Sequence, residues 1–112
     1  MLAKTNRIVA PADFRHAMRK GKRVATKHTI IHITKNTGVP TRFGFIITKV
    51  VGNAVHRNLV KRRLRDISAE VIAEFPEGYS VVIRSLAGAE NLTWVELSAE
   101  VKPALVKAMK KL

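Results

Sequence analysis

The spacing of apolar residues in the first half of the chain predicts a helix followed by strands. Pro11 can begin a short helix that carries apolar residues on one face and ends at Gly21. Residues 23–34 place Val and Ile among threonines, which is typical of one or two strands, and turn-forming residues follow at 36–40. A further strand is predicted over residues 42–51. One face of that strand carries Phe43, Phe45 and Ile47.

The second half of the chain predicts two helices separated by a strand. Gly52 and Asn53 interrupt the preceding strand, and a helix of about 20 residues follows up to Phe75. Its apolar residues lie within about 80° of one another and form a stripe that faces the core. These residues are Val60, Leu64, Ile67, Val71 and Phe75. Residues 79–85 form the last strand, which is apolar enough to be buried on both faces.

The C-terminal segment predicts an amphipathic helix. Thr93 and Glu96 have the spacing of a capping box at its start. Pro103 lies inside the helical pattern and removes an amide donor, so we expect a kink or a break there. The apolar stripe of this helix is Leu97, Val101, Leu105 and Ala108.

The order of the predicted elements is helix, two or three strands, helix, strand, helix. This order predicts an α+β fold, a two-layer sandwich in which helices pack against one sheet. A chain of 112 residues is long enough for one core and too short for two, so residues 1–112 are predicted to form a single domain. The pattern leaves the order of the strands open.

Charge is concentrated in the first part of the chain. The sequence has 21 Lys and Arg residues against 8 Asp and Glu, for a formal net charge of +13. Residues 1–65 hold 16 of these basic residues and a single acid, Asp13. Such a one-sided charge favours a polyanionic partner, and nucleic acid more than a membrane surface.

Other features of the composition exclude several classes of protein. The chain has no cysteine, which rules out disulfides, thiolate nucleophiles and cysteine-bound zinc. No apolar run approaches the roughly 20 residues of a membrane span, and the first residues lack the apolar stretch of a secretory signal. We therefore expect a cytoplasmic protein that does not contact membranes.

The second predicted helix carries a basic face beside its apolar stripe. Arg57, Lys61 and Arg65 follow one another at intervals of four residues, and Asn58 and Arg62 lie beside them. This row suits the spacing of phosphates in a nucleic-acid backbone, and each guanidinium can bind two phosphate oxygens. The alternative is a solvated face without a ligand, although such faces usually alternate in sign.

The start of this helix offers a second feature that favours anions. Gly52 and Asn53 leave backbone amides at the positive end of the helix dipole. Asn53 is equally suited to be the N-cap residue of the helix. The two roles are compatible.

Residues 49–65, which read KVVGNAVHRNLVKRRLR, resemble the signature of the bacterial ribonuclease P protein subunit. In that family the segment passes from strand to helix as Lys, two residues, Gly-Asn-Ala-Val, one residue, Arg-Asn-Arg and a Lys-Arg pair. Residues 6–8 (NRI), 13–15 (DFR) and 21–24 (GKRV) are similar to the family's first helix and first strand. The resemblance therefore covers essentially the whole chain.

Two positions depart from the family pattern. Leu59 stands where the family usually has an arginine, and Val50 stands where a second lysine is common. Phosphate contacts at these two positions are absent, and we expect the charge to be carried instead by Arg62, Arg63 and Arg65.

The resemblance implies a sandwich similar to domain 2 of ribosomal protein S5, with a left-handed βαβ crossover, which is rare in general. It also implies an accessory subunit of an endonuclease whose catalyst is a large RNA. That RNA uses bound Mg²⁺ to remove the 5′ leader from precursor tRNA. The partners would be the catalytic RNA and precursor tRNA, with no cofactor bound by the chain itself and no protein partner required. By resemblance, the catalytic RNA contacts Lys49, Asn53, Arg57, Asn58, Lys61, Arg62 and Arg65.

The resemblance further implies a cleft for the single-stranded leader between the first helix, the sheet and the second helix. The matching positions are Phe14, Met18 and His32. Phe14 can stack on a base, which is worth about 1–3 kcal/mol. Met18 can make apolar contact, and His32 can stack or donate a hydrogen bond. The alternative is that Phe14 and Met18 simply belong to the core.

The residues predict no catalytic or metal-binding site within the chain. His16, His28, His32 and His56 lack a second ligand at a metal-binding spacing. His28 and His32 would lie about 13 Å apart on one face of a strand, too far to bind one ion. Asp13 has no carboxylate nearby in sequence for general acid–base chemistry.

Two other functions stay open at this point. A ribosomal protein or a nonspecific DNA-binding protein of similar charge would bind RNA without affecting cleavage of precursor tRNA. An autonomous nuclease would need metal-binding carboxylates, and we find no candidates for them in the sequence.

Overall fold

The computed structural model describes residues 2–112, and its elements follow the predicted order, which confirms the α+β class. Short 3₁₀ turns precede the first helix and follow the third and fourth strands. The helices and strands are α1 Pro11–Lys20, β1 Lys22–Ala25, β2 Thr29–Pro40, β3 Arg42–Ile47, α2 Ala54–Glu74, β4 Glu77–Ser85 and α3 Trp94–Lys111.

The four strands form one sheet in the order β1-β2-β4-β3. β4 lies between β2, to which it is antiparallel, and β3, to which it is parallel. Because a tight hairpin cannot join parallel strands, α2 makes the crossover from β3 to β4. The left-handed sense of this crossover and the likeness to ribosomal protein S5 stay predictions.

Different helices cover the two faces of the sheet. On one face, α2 and α3 pack over the fully buried side chains of Val81 and Ile83. On the other face, Ala17 of α1 packs with Val82. The apolar run of β4 is therefore buried on both faces, as predicted, since consecutive residues of a strand point to opposite sides. We call the second side the α1 face of the sheet.

The apolar stripes predicted for the two long helices are their buried faces. The buried residues on these stripes are Val60, Leu64, Ile67, Val71, Leu97, Val101, Leu105 and Ala108. The capping box of α3 is confirmed, because Thr93 and Glu96 exchange hydrogen bonds between side chain and backbone. The helix continues through Pro103 without a break. Pro103 is exposed, so water can bind the carbonyl of Ala99 that loses its amide partner.

Two strand ends differ from the prediction. β2 continues to Pro40, because residues 36–39 bulge out of the ladder between Lys35 and Pro40 and do not end the strand. β3 ends at Ile47, earlier than predicted, because Val51 is buried from a 3₁₀ turn and not from a strand. In both places, tertiary packing overrides the local pattern.

Candidate nucleic-acid interface

The start of α2 is built around Gly52 and Asn53. Gly52 has a φ of 130°, a conformation that favours glycine. The side-chain oxygen of Asn53 accepts a hydrogen bond from the amide of His56 at 3.1 Å, which confirms its predicted N-cap role. The guanidinium of Arg57 donates to the carbonyl of Gly52 at 2.9 Å and braces this turn. Lys49 is exposed in the 3₁₀ turn just before it.

One side of α2 brings two of the predicted cationic residues, Lys61 and Arg65, next to α1 and the edge strand β3. Lys61 and Arg65 line a cavity of about 100 Å³ that is also lined by Phe14 of α1 and Phe45 of β3. The opposite side of α2 contacts α3, where Lys102 and Glu70 form an ion pair at 2.9 Å. We define the basic face of α2 as Arg57, Asn58, Lys61, Arg62 and Arg65, of which Asn58 and Arg62 are exposed.

Arg63 does not belong to the basic face. Its guanidinium donates a hydrogen bond to the carbonyl of Leu92, in the turn before α3. This contact argues against the expectation that Arg63 helps to compensate for Leu59, which stays a prediction. Two helical steps of about 100° place Arg63 on the side of α2 opposite to Arg65, where α3 and its preceding turn lie.

The segment before α1 extends the sheet beyond β3. Arg7 forms a parallel bridge with Phe43, whose carbonyl accepts from the amide of Ile8 at 3.0 Å. The guanidinium of Arg7 donates to the carbonyl of Leu2 at 2.9 Å and lines the same cavity as Lys61. This placement could not be predicted from the sequence, because no local pattern pairs residue 7 with residue 43.

The three residues predicted for the leader cleft lie on the α1 face of the sheet. Phe14 and Met18 pack against the buried cluster that contains Val82, and His32 is the cross-strand partner of Val82. Paired residues of antiparallel strands point to the same side, so His32 faces the side that α1 occupies. The ring of Phe14 lies over Gly44, where an added Cβ would be 2.5 Å from a ring carbon. Phe14 and Met18 are half-buried, so they belong to the core and still present an accessible surface.

Two arginines that the sequence analysis missed flank His32. Arg23 is its cross-strand partner on β1, and Arg84 is two residues from Val82 on β4. Burial lowers the pKa of His32, and the charges of Arg23 and then Arg84 lower it further. Within residues 2–112, the buried Nδ1 atom of His32 has no hydrogen-bond partner. Only the register between strands brings these residues together, and this register cannot be predicted from a single sequence.

His28 contacts α3 and not α1. Its Nδ1 atom is 2.7 Å from one oxygen of Glu100, and its amide donates to the other oxygen at 2.9 Å. Thr26 donates to that second oxygen at 2.8 Å. The expectation that His28 and His32 share one face of a strand is wrong, because His28 lies in the turn before β2.

Asp13, the single acid of residues 1–65, forms an ion pair with Arg42 at 3.3 Å. Across residues 2–112, no group of three His, Asp or Glu side chains has a metal-binding arrangement. None of the helices in the described chain is long and apolar enough to cross a membrane.

Comparison with known proteins finds one family. The Ribonuclease P family model matches residues 2–109. The ribonuclease P protein component of Clavibacter michiganensis subsp. michiganensis is 44% identical over 111 residues, which cover 98% of each chain. The solved RNase P protein of Staphylococcus aureus is similar with a TM-score of 0.82 and 26% identity, covering 94% of this chain and 96% of that one. A Staphylococcus aureus RNase P protein mutant with defective mRNA degradation activity gives a TM-score of 0.84 and 26% identity, covering 95% of this chain and 90% of that one.

Proposed function

Since this chain belongs to the ribonuclease P protein family and is thus a protein component of an endoribonuclease, we propose that it binds two RNAs. The catalytic RNA lies along the basic face of α2. The single-stranded 5′ leader of precursor tRNA lies over the α1 face of the sheet. Residues 1–112 act as one RNA-binding domain in the cytoplasm, and no further protein is required.

One observation carries this proposal: the basic face of α2 and the α1 face of the sheet are neighbours. Lys61 and Arg65 line the same cavity as Phe14. Cationic side chains suit a nucleic-acid backbone, whereas an aromatic ring suits unpaired bases. Two polyanions bound on adjacent surfaces would repel each other, and the cations between them offset that repulsion.

The two departures from the family pattern narrow the set of phosphate contacts. Val50 is 65% exposed and Leu59 is half-buried, and neither supplies a charge. The backbone contacts of the catalytic RNA then rest mainly on Lys61, Arg62 and Arg65. Binding should still weaken as salt rises, but less steeply than it would with cations at these two positions, because each phosphate contact adds to the slope of log K against log salt.

We assign no catalytic residue to the chain. Metal-assisted phosphodiester hydrolysis requires oxygen ligands that hold the ions against the scissile phosphate. Within residues 2–112 the donor set includes no cluster that fits this task. The Mg²⁺ ions are then held by the catalytic RNA, while the chain contributes binding energy and charge.

The direct test is cleavage of a precursor tRNA by a bacterial catalytic RNA at low Mg²⁺. Three reactions are compared: the RNA alone, the RNA with the chain, and the chain alone. We expect cleavage to be stimulated only when both components are present. Tight RNA binding without stimulation would favour a general RNA-binding module, and cleavage by the chain alone would overturn the accessory role.

Matched double variants separate specific binding from the effect of net charge. Lys61→Ala with Arg65→Ala removes two cations of the basic face and should abolish most of the stimulation. Lys107→Ala with Lys110→Ala removes the same charge from exposed positions of α3 and should preserve it. Equal losses in both pairs would show that only net charge matters.

A second candidate activity is degradation of mRNA. It is favoured by the Staphylococcus aureus mutant that is described as defective in mRNA degradation and that shares this fold. An mRNA substrate added to the chain-alone reaction tests it. Degradation that persists through repeated purification would support this activity, and an intact mRNA would exclude it under those conditions.

A further inference from the structure

We propose that Arg23, His32 and Arg84 form a phosphate-binding site, in which a phosphodiester of the 5′ leader accepts hydrogen bonds from both guanidinium groups and from the imidazole. The proposal rests on the proposed function, because it names the chemical group of the leader that binds this part of the α1 face. It adds two residues to the leader cleft and gives His32 a hydrogen-bonding role there.

The strand register brings the three side chains together. Arg23 is directly opposite His32, and directly opposite residues in antiparallel strands have Cβ atoms about 4.5–5.5 Å apart. Arg84 is a diagonal neighbour across β4, at about 7–8 Å, which a long side chain can span. His32 therefore lies between two guanidinium groups that belong to adjacent strands.

The imidazole has an unused hydrogen-bonding capacity. Its Nδ1 atom is buried without a partner among residues 2–112, so Nε2 is the ring nitrogen that a ligand can reach. Arg23 and Arg84 are exposed, and guanidinium groups only donate hydrogen bonds. All three groups can therefore donate to a single acceptor, and a phosphate oxygen is an acceptor that carries the complementary charge.

The surroundings of the site are also cationic. Arg15 and Arg19 of α1 line an open groove of about 350 Å³ together with Met18. The acid of α1, Asp13, is occupied by Arg42 at 3.3 Å. A single strand of RNA that continues from the site along α1 would meet these two cations of α1 in addition to Arg23 and Arg84.

Ligand binding at this site should be linked to protons. Burial lowers the pKa of His32, and Arg23 and Arg84 lower it further. A bound phosphate brings a negative charge that offsets the two arginines, so binding raises the pKa of His32 again. Because the complex then takes up part of a proton, leader affinity should rise as the pH falls.

The test measures the leader's contribution to binding by the assembled holoenzyme. Dissociation constants are determined for a precursor tRNA with a leader and for the mature tRNA without one, between pH 8 and pH 5.5. The ratio of the two constants isolates the leader. We expect the leader contribution to grow by about threefold over this range in the native holoenzyme. His32→Gln, which cannot titrate, should remove that growth.

Two further variants keep the test decisive if His32→Gln destabilises the fold. Arg84 is exposed, so Arg84→Ala should fold normally and lower the leader contribution about three- to tenfold at every pH. His16 is an exposed histidine of α1, and His16→Gln is the matched control that should retain the native pH dependence. A native ratio that does not change with pH, or an Arg84→Ala variant with native leader binding, overturns the site.

The same titration distinguishes the leader from the catalytic RNA as the source of the phosphate. Affinity of the chain for the catalytic RNA alone is measured over the same pH range. The assignment to the leader would be overturned if binding of the catalytic RNA depends on pH, if His32→Gln removes that dependence, and if the ratio of the two tRNA dissociation constants does not change with pH. Failure of the chain to stimulate cleavage would overturn the proposed function, whereas stimulation with a pH-independent leader ratio would overturn only this site.

Discussion

Arg62 and Arg63 are neighbours in sequence, yet their replacement by alanine should have opposite consequences. Arg62 is exposed on the basic face of α2, whereas Arg63 donates a hydrogen bond to the carbonyl of Leu92. Each substitution removes one positive charge from the same helix. Any difference between the two variants therefore comes from the direction in which each side chain points.

Arg62→Ala should change RNA binding and leave stability unchanged. Loss of one phosphate contact lowers the slope of log K against log salt by about 0.9 for a duplex backbone. Between 50 and 200 mM salt, a slope change of that size alters the ratio of native to variant affinity by about 3.5-fold. The expected defect is therefore large at low salt and shrinks as salt rises.

Arg63→Ala should change stability and leave the salt slope unchanged. A hydrogen bond from a charged group contributes about 1.5–3 kcal/mol, so the variant should lose at least the lower figure. For a domain of this size, about 1.5 kcal/mol corresponds to a fall in Tm of roughly 6 °C.

Thermal melting and titration of labelled catalytic RNA at five salt concentrations measure both quantities on the same preparations. Equal changes in the salt slope for the two variants would mean that RNA binding depends on the charge of α2 and not on the side of the helix that carries it. A native Tm for Arg63→Ala would show that its contact with the turn before α3 contributes nothing, and either result would refute the separation of the two sides of α2.

Three further predictions concern packing and pH. Gly44→Ala should displace the ring of Phe14 and lower the free energy of unfolding, measured with denaturant, by about 1–3 kcal/mol. It should also weaken binding of precursor tRNA. Native values of both quantities would contradict the close contact between Gly44 and Phe14. Burial alone would raise the pKa of Glu100, but hydrogen bonds, first that of the His28 side chain, lower the pKa overall. The native protein should therefore lose stability as the pH falls below about 4.5. In melts from pH 6 to pH 3, Glu100→Gln should lose stability less steeply than the native protein. Pro103→Ala should raise Tm, because it restores an amide donor at an exposed helical position that proline disfavours by up to about 3 kcal/mol; an unchanged Tm would contradict this.

The elements that the sequence predicted well are those whose pattern repeats over many residues. The stripe from Val60 to Phe75 extends over several turns, so its period identified α2 and its buried face. β4 was identified by a dense apolar run. A central strand that is covered on both sides is apolar on both faces, so polar and apolar residues do not alternate along it. Short-range signals were less reliable. Turn-forming residues near Gly38 produced a bulge inside β2, and Val51 is buried from a 3₁₀ turn.

In the candidate site, too, the residues on one helix were predicted from the sequence, whereas those brought together by tertiary contacts were not. Helical period placed Lys61 and Arg65 on one face, and the structure brings them together at one cavity. The same period could have assigned Arg63 to the opposite side, but only the position of α3 shows what it contacts there. Arg23 and Arg84 were missed because they join His32 through strand pairing, and the pairing of β2 with β4 joins residues that are far apart in the chain, such as His32 and Val82.

The position of β4 in the sheet also has a consequence for synthesis of the chain. β2 and β3 share no ladder, and only β4, the last strand to leave the ribosome, joins them. Until residue 85 has emerged, the strongly cationic first part of the chain lacks the scaffold that orders its RNA-binding surfaces. Long-range pairing of this kind forms late and slowly. We therefore expect the nascent polypeptide to be a largely unstructured polycation beside ribosomal RNA, and its selectivity for RNA partners to arise only after β4 has paired with β2 and β3.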